Sequence, residues 1–136
     1  LCELKLPELE SESVDHQIER TELSSWVYTV ERVQDLQDRA RRILEELEYT
    51  NISYHVFDDS LLWDEHSPYN AAMVTAGAPR VPDPLLEQLA DGGRLLVPVG
   101  DRFSQVLTKL TKQGEKVKRQ TLGGCRFVSL MGEHGW

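Results

Sequence analysis

Two carboxylates and a run of small residues are the parts of this chain that could do chemistry. Glu31 follows Trp26-Val27-Tyr28-Thr29-Val30, a β-branched and aromatic run with the composition of a strand. A carboxylate at the carboxyl end of a strand can accept hydrogen bonds from both hydroxyls of a ribose. The same residue type at that place also serves a helix N-terminus, where the dipole favours negative charge. Asp58 closes the alternating run 51–57. It could accept from an adenine amino group, or fold onto its own backbone as a turn residue. Thr75-Ala76-Gly77-Ala78-Pro79 is the third element. Small residues after a strand let a ligand, or another backbone, approach closely.

These residues need elements to hold them. Val33, Leu36, Ala40, Ile43, Leu44 and Leu47 recur at helical spacing, which predicts an amphipathic helix with one face on a sheet. The small-apolar run 71–76 predicts a central parallel strand buried on both faces. Pro82, Asp83 and Pro84 open a short helix through Leu89, and Asp91-Gly92-Gly93 stops it. Residues 94–99 form the next strand. The segments 105–111, 116–122 and 126–130 read as consecutive antiparallel strands, with a turn at Gln113-Gly114. The alternation defines an α/β sheet, parallel at first and antiparallel at its end. Parallel strands next to each other bring Glu31 and Asp58 to one rim, where ligands of such sheets bind. Residues 1–25 stand apart from the domain at 26–136. Segment 7–25 is rich in Glu and Ser with sparse apolar residues, and predicts a marginal helix or an arm.

Composition narrows the function. The formal charge of -8 over 136 residues disfavours nucleic acid, whose phosphates need a basic face. The basic stretch 109–119 reads as the solvated face of a hairpin. Cys2 and Cys125 have neither disulfide-framework nor zinc spacing, which predicts a reducing, cytoplasmic setting. No apolar run approaches a membrane span. No GxSxG surrounds a serine and no HExxH joins the histidines, so no nucleophile, catalytic side chain or metal ligand is predicted. P-loop and GxGxxG patterns are absent as well.

VYTVER (27–32), SPYNAAMVTAGAPRVPDPLLEQLADGGRLLVPVG (67–100) and GGCRFVSLMGEHGW (123–136) resemble the protein-L-isoaspartate O-methyltransferase family, over 26–136. LCEL (1–4) resembles a short piece that precedes the family's first strand. The resemblance implies a truncated Rossmann-like methyltransferase sheet that uses S-adenosylmethionine, with a parallel core and C-terminal antiparallel strands. It implies methyl transfer to the free α-carboxylate of isoaspartyl residues in damaged proteins, whose ester collapses to a succinimide that can reopen to aspartate. Positioning and desolvation carry such an in-line displacement, so no metal is needed. Carried over by position, Glu31 would bind the ribose hydroxyls and Asp58 would face the adenine, with Arg32 and Asp59 beside them on the cofactor side. Thr75 and Ala76 would lie beside the cofactor. Phe127, Val128, Ser129 and Leu130 would flank the peptide substrate with backbone hydrogen bonds.

The sequence also departs from the family's pattern. The family has a strand ending in a glycine-rich loop just before VYTVER, and segment 7–25 here contains no glycine. The family's serine-containing substrate loop would lie upstream of Leu1. Glycine is favoured in the family where Phe57, Asp59 and Leu62 stand. Loss of the central strand would leave an open edge in the middle of the sheet. Such an edge recruits a partner strand or a second copy. That predicts a homodimer, and as an alternative function an inactive, self-associating interaction module.

Overall fold

The computed structural model of the chain describes residues 2–5, 26–56 and 64–136. In chain order the elements are β1 (Cys2–Lys5), β2 (Trp26–Glu31), α1 (Gln34–Glu46), β3 (Ile52–Val56), a 3-10 turn (Asp64–His66), β4 (Tyr69–Met73), α2 (Asp83–Glu87), β5 (Leu89–Gly100), β6 (Gln105–Gln113) and β7 (Lys116–Cys125). The seven strands form one sheet in the order β3-β2-β1-β4-β5-β6-β7.

The centre of that sheet differs from the expectation. β1 fills the slot that the sequence left open, and it runs antiparallel to both neighbours. Cys2 lies opposite Thr29 of β2 and Met73 of β4, and Leu4 lies opposite Val27 and Ala71. Four residues thus give both inner edges their backbone partners, and the predicted mid-sheet opening is closed. The basis for a homodimer through that opening goes with it, because the sheet's outer edges are β3 and β7. The segment 7–25 lies outside the described residues.

The strands flanking β1 follow the sequence reading. β2 and β3 are parallel, with Glu31 opposite Val56. β4 and β5 are parallel, and β6 and β7 add antiparallel ladders to β5. Because β1 opposes both β2 and β4, those two strands run the same way. The carboxyl ends of β2, β3, β4 and β5 therefore share one rim, and the amino end of β1 joins them. Lys5 lies opposite Trp26 at the other rim. Valine, tyrosine and threonine suit the half-buried pleat of β2. Pro84 fits the first turn of α2, where a missing N–H costs nothing.

The core lies on one face of the β4–β6 sheet. Ala72, Val74, Leu95, Val97 and Leu110 are buried there, under Leu85 of α2 and Leu89. On the opposite face Met73 and Arg94 are exposed and Leu96 is half-buried, while Pro98 is buried. Burial of the 71–76 run on both faces is therefore not what forms. The same correction applies to α1. Val33, Leu36, Ile43 and Leu47 are all exposed, Leu36 at 53%. The residue α1 does bury is Gln37, whose Nε2 donates to the carbonyls of His55 (3.3 Å) and Thr29 (3.5 Å). A helical stripe in sequence declares an apolar face but not what will cover it.

The tail also departs from three consecutive strands. β7 continues through Gly123, which has φ +139°, at a register shift against Leu107 and Thr108. Residues 126–130 then leave the ladder, and Ser129 makes a parallel bridge to Gly77.

If β1 holds the two halves together, a proline within it removes a ladder bond from a central strand. Glu3→Pro is expected to lower stability by about 2–3 kcal/mol. The midpoint of urea unfolding measures this.

Candidate functional site at the carboxyl rim

The shared rim gathers nearly every residue the sequence singled out. Glu31 stands at the end of β2. Thr75 and Ala76 follow β4, two strand spacings away, roughly 10 Å. Phe127, Val128, Ser129 and Leu130 reach the same rim through the bridge to Gly77. Asp58 and Asp59 lie outside the described residues, two and three positions beyond Val56 at the end of β3.

Glu31 is half-buried and its carboxylate is partly committed. Its Oε1 accepts from the N–H groups of Arg32 (2.8 Å) and Val33 (3.0 Å). Those amides lead into α1, so the helix-terminus role foreseen for an acid here is performed by one oxygen. Both bonds end on Oε1 and tether that side of the carboxylate. Among the described residues, Oε2 accepts no hydrogen bond. Arg32 itself is exposed.

The loop after β4 is braced on both sides. Ala78 turns its groups toward β5: its N–H donates to Pro98 O (2.9 Å), and its carbonyl accepts from Gly100 N–H (3.0 Å). Gly77 turns the other way. Its N–H donates to Val128 O (2.7 Å), and its carbonyl accepts from Leu130 N–H (2.8 Å). Thr75 is exposed and Ala76 half-buried beside this brace. Gly77 is glycine for a spatial reason: a Cβ there would stand 2.8 Å from Cδ of Gln105.

The pairing gives the 127–130 strip one used edge and one open edge. Backbone groups of successive residues in an extended strand point to opposite sides. Val128 and Leu130 face Gly77. The N–H and C=O of Ser129 face away and have no partner among the described residues. Val128, at 76% exposure, and Met131 present apolar side chains beside this edge. The C-terminal residues close over the end of the strip, where Trp136 N–H donates to Leu130 O (2.9 Å) and Arg102 stacks 5.0 Å over the Trp136 ring.

Asp101 ties the β5–β6 turn at the same rim. Its Oδ1 accepts from Phe103 N–H (2.7 Å) and Ser104 N–H (2.8 Å), and these two bonds hold its carboxyl below the ordinary aspartate range.

Two residues of this rim stand outside the sequence reading. Gln105 is 1% exposed and joins Asp101 to Phe127. A lone glutamine opening a strand carries no period or motif. Asp101 after a glycine carries only the local signal of a turn acid. Among the described residues, no group of three or more potential metal ligands forms, and no helix is long and apolar enough to cross a membrane.

An open α/β sheet with its site at the carboxyl rim and an antiparallel hairpin at its end is the architecture of the S-adenosylmethionine-dependent methyltransferases. Solved structures agree. A protein-L-isoaspartate O-methyltransferase superposes with a TM-score of 0.70 at 28% identity, covering 79% of this chain and 35% of its own. The Plasmodium falciparum enzyme, in complex with S-adenosyl-L-homocysteine, gives a TM-score of 0.65 at 25% identity, covering 79% and 53%. In sequence, protein-L-isoaspartate O-methyltransferase of Syntrophus aciditrophicus is 49% identical over 118 residues, 85% of this chain and 54% of the relative. That of Geobacter metallireducens is 50% identical over 115 residues, 84% and 53%. The protein-L-isoaspartate(D-aspartate) O-methyltransferase family matches residues 16–135, and the chain belongs to that family. It spans about half the length of the curated relatives it matches.

Two outcomes follow from this geometry. Gly77→Ala must push Gln105 aside and is expected to cost about 1–3 kcal/mol, read by thermal unfolding. Asp101 stabilises its turn while ionised, because its folded pKa lies below its unfolded one. That contribution is complete above the ordinary aspartate pKa and is lost as pH falls through the lowered value. The amide shifts of Phe103 and Ser104 should titrate below the usual aspartate range, and Asp101→Asn should abolish that titration.

Proposed function

We propose that this chain carries the adenosine-binding and peptide-binding sides of a protein-L-isoaspartate O-methyltransferase, which methylates isoaspartyl carboxylates of damaged proteins from S-adenosylmethionine. The observation that carries the reading is the open backbone edge at Ser129, on the rim that also holds Glu31. An isoaspartyl residue lengthens the main chain by one carbon and displays a free α-carboxylate. Recognition of such a peptide through its backbone suits an unpaired strand edge flanked by apolar side chains.

The residues present fit one end of the cofactor. Oε2 of Glu31 is placed to accept from ribose hydroxyls, with Arg32 alongside. Asp58 is assigned to the adenine, with Asp59 next to it on the cofactor side, and Thr75 and Ala76 to close packing beside the cofactor. S-adenosylmethionine supplies an electrophilic methyl on a sulfonium, so the protein's task is to align a carboxylate with it and exclude water. The methionine end finds no glycine loop on the described rim. The central place is taken by the amino end of β1, whose Cys2 lies opposite Thr29 and Met73. Binding is therefore expected to be weaker than a complete cradle would give, each lost hydrogen bond costing about 0.5–1.5 kcal/mol.

A cytoplasmic setting fits a repair function on intracellular proteins, and isoaspartyl proteins are the partners this reading names. Self-association through a mid-sheet opening is not favoured, since β1 occupies that place.

Calorimetric titration with S-adenosylmethionine tests the cofactor side, and transfer of a labelled methyl to an isoaspartyl peptide tests the activity. Glu31→Gln is expected to weaken S-adenosylmethionine about tenfold, roughly 1.4 kcal/mol, with the fold intact. No heat at millimolar ligand together with no methyl transfer overturns the reading.

A further inference from the structure

We propose that Gln105 is a positioning residue: it sets the path of the 127–130 strip against the Gly77 loop, and so fixes the peptide edge relative to the cofactor rim. The inference rests on the reading of that strip as the peptide edge.

Gln105 opens β6 and lies opposite both Gly100 and Cys125 at the last pairs of the two ladders. Cys125 is where β7 ends, and beyond it the backbone must cross to the β4 loop without sheet partners. The Gln105 side chain supplies the missing one. Its Oε1 accepts from Phe127 N–H at 2.7 Å. Its Nε2 donates to Asp101 O at 2.5 Å. These two partners also settle the orientation of the amide, since an N–H must meet the oxygen and a carbonyl the nitrogen. The stem packs on Gly77, with no room for a methyl group between them.

One buried side chain therefore touches three segments of the rim: the β5–β6 turn, the β4 loop and the substrate strip. A buried primary amide is costly to leave unpaired, so it persists where its partners are held in place. The strip is anchored at two points, Phe127 on Gln105 and Val128 with Leu130 on Gly77. With the first lost, residues 126–127 pivot about the second, and the open edge at Ser129 loses its fixed orientation.

The test uses the whole chain and two variants of similar volume. Gln105→Met keeps the packing and removes both polar atoms. Gln105→Glu keeps an acceptor for Phe127, and when protonated it can also donate to Asp101 O. Hydrogen exchange is read at the Phe127 and Leu130 amides. Binding of a fluorescent isoaspartyl hexapeptide is read by anisotropy, and S-adenosylmethionine by calorimetry. In Gln105→Met, Phe127 exchange should rise about tenfold or more, and peptide affinity should fall about tenfold. S-adenosylmethionine affinity should stay within about twofold. At acid pH, where its protonated carboxyl can both accept from Phe127 N–H and donate to Asp101 O, Gln105→Glu should keep Phe127 protection within about twofold of the unsubstituted protein. Unchanged Phe127 protection in Gln105→Met, or protection in Gln105→Glu at acid pH as low as in Gln105→Met, overturns the proposal. Failure of the unsubstituted protein to bind the hexapeptide would strike the functional reading instead, while the exchange measurement would still decide whether Gln105 holds the strip.

Discussion

The fold depends on a four-residue strand, three of whose residues pair on both sides. Among the described residues, β1 is the strand that pairs with both β2 and β4, and it joins two parts of the sheet: β3 with β2, and β4 through β7. Side chains reinforce the junction from above the strand. Tyr28 of β2 meets Tyr69 of β4 edge-on at 5.7 Å, and His66 stacks on Tyr28 at 4.3 Å. Aromatic pairs at these separations add to the backbone ladders. Every arrangement at the carboxyl rim presupposes this join, because Glu31 belongs to one piece and the 127–130 strip to the other.

The direction of β1 shapes the site as much as its presence does. A parallel central strand would deliver its carboxyl end, and any loop following it, to the rim. An antiparallel one delivers its amino end, and its carboxyl end lies at the far rim, where Lys5 is opposite Trp26. The two lateral walls are still recognisable, an acid with one oxygen held by backbone amides and an unpaired peptide edge. What lies between them has changed in kind. Under the proposed function, the task of this chain is to hold and align two molecules.

Much of this was legible in the residues. The β-branched run before Glu31, the helix beginning at Gln34, the alternation at 52–56 and the hairpin around Gly114 all carry local signals, and all formed where the pattern placed them. The convergence of Glu31 and the β4 loop on one rim followed from strand direction. What escaped has a common cause, which is non-local pairing. Nothing in Cys2–Lys5 says that it will lie between β2 and β4 rather than beside either alone. The stripe Val33, Leu36, Ile43 and Leu47 states that a face is apolar, and the fold leaves it uncovered. Residues 126–130 have strand composition, yet their partner is Gly77 rather than β7. Gln105 meets Gly77 and Phe127, both far from it in sequence, and a single residue type cannot announce such contacts.

The wide sequence separation across the middle of the sheet has a consequence for how the molecule assembles. Cys2 meets Met73, whereas Gln113 meets Lys116 across a tight turn. Hairpins close within microseconds, while ends far apart along the chain must first surrender more conformational freedom. The β6–β7 arm is thus the early-forming part and the keystone strand the late one. During synthesis β1 has no second neighbour until β4 follows, and in that interval its other edge is exposed to whatever strand arrives first.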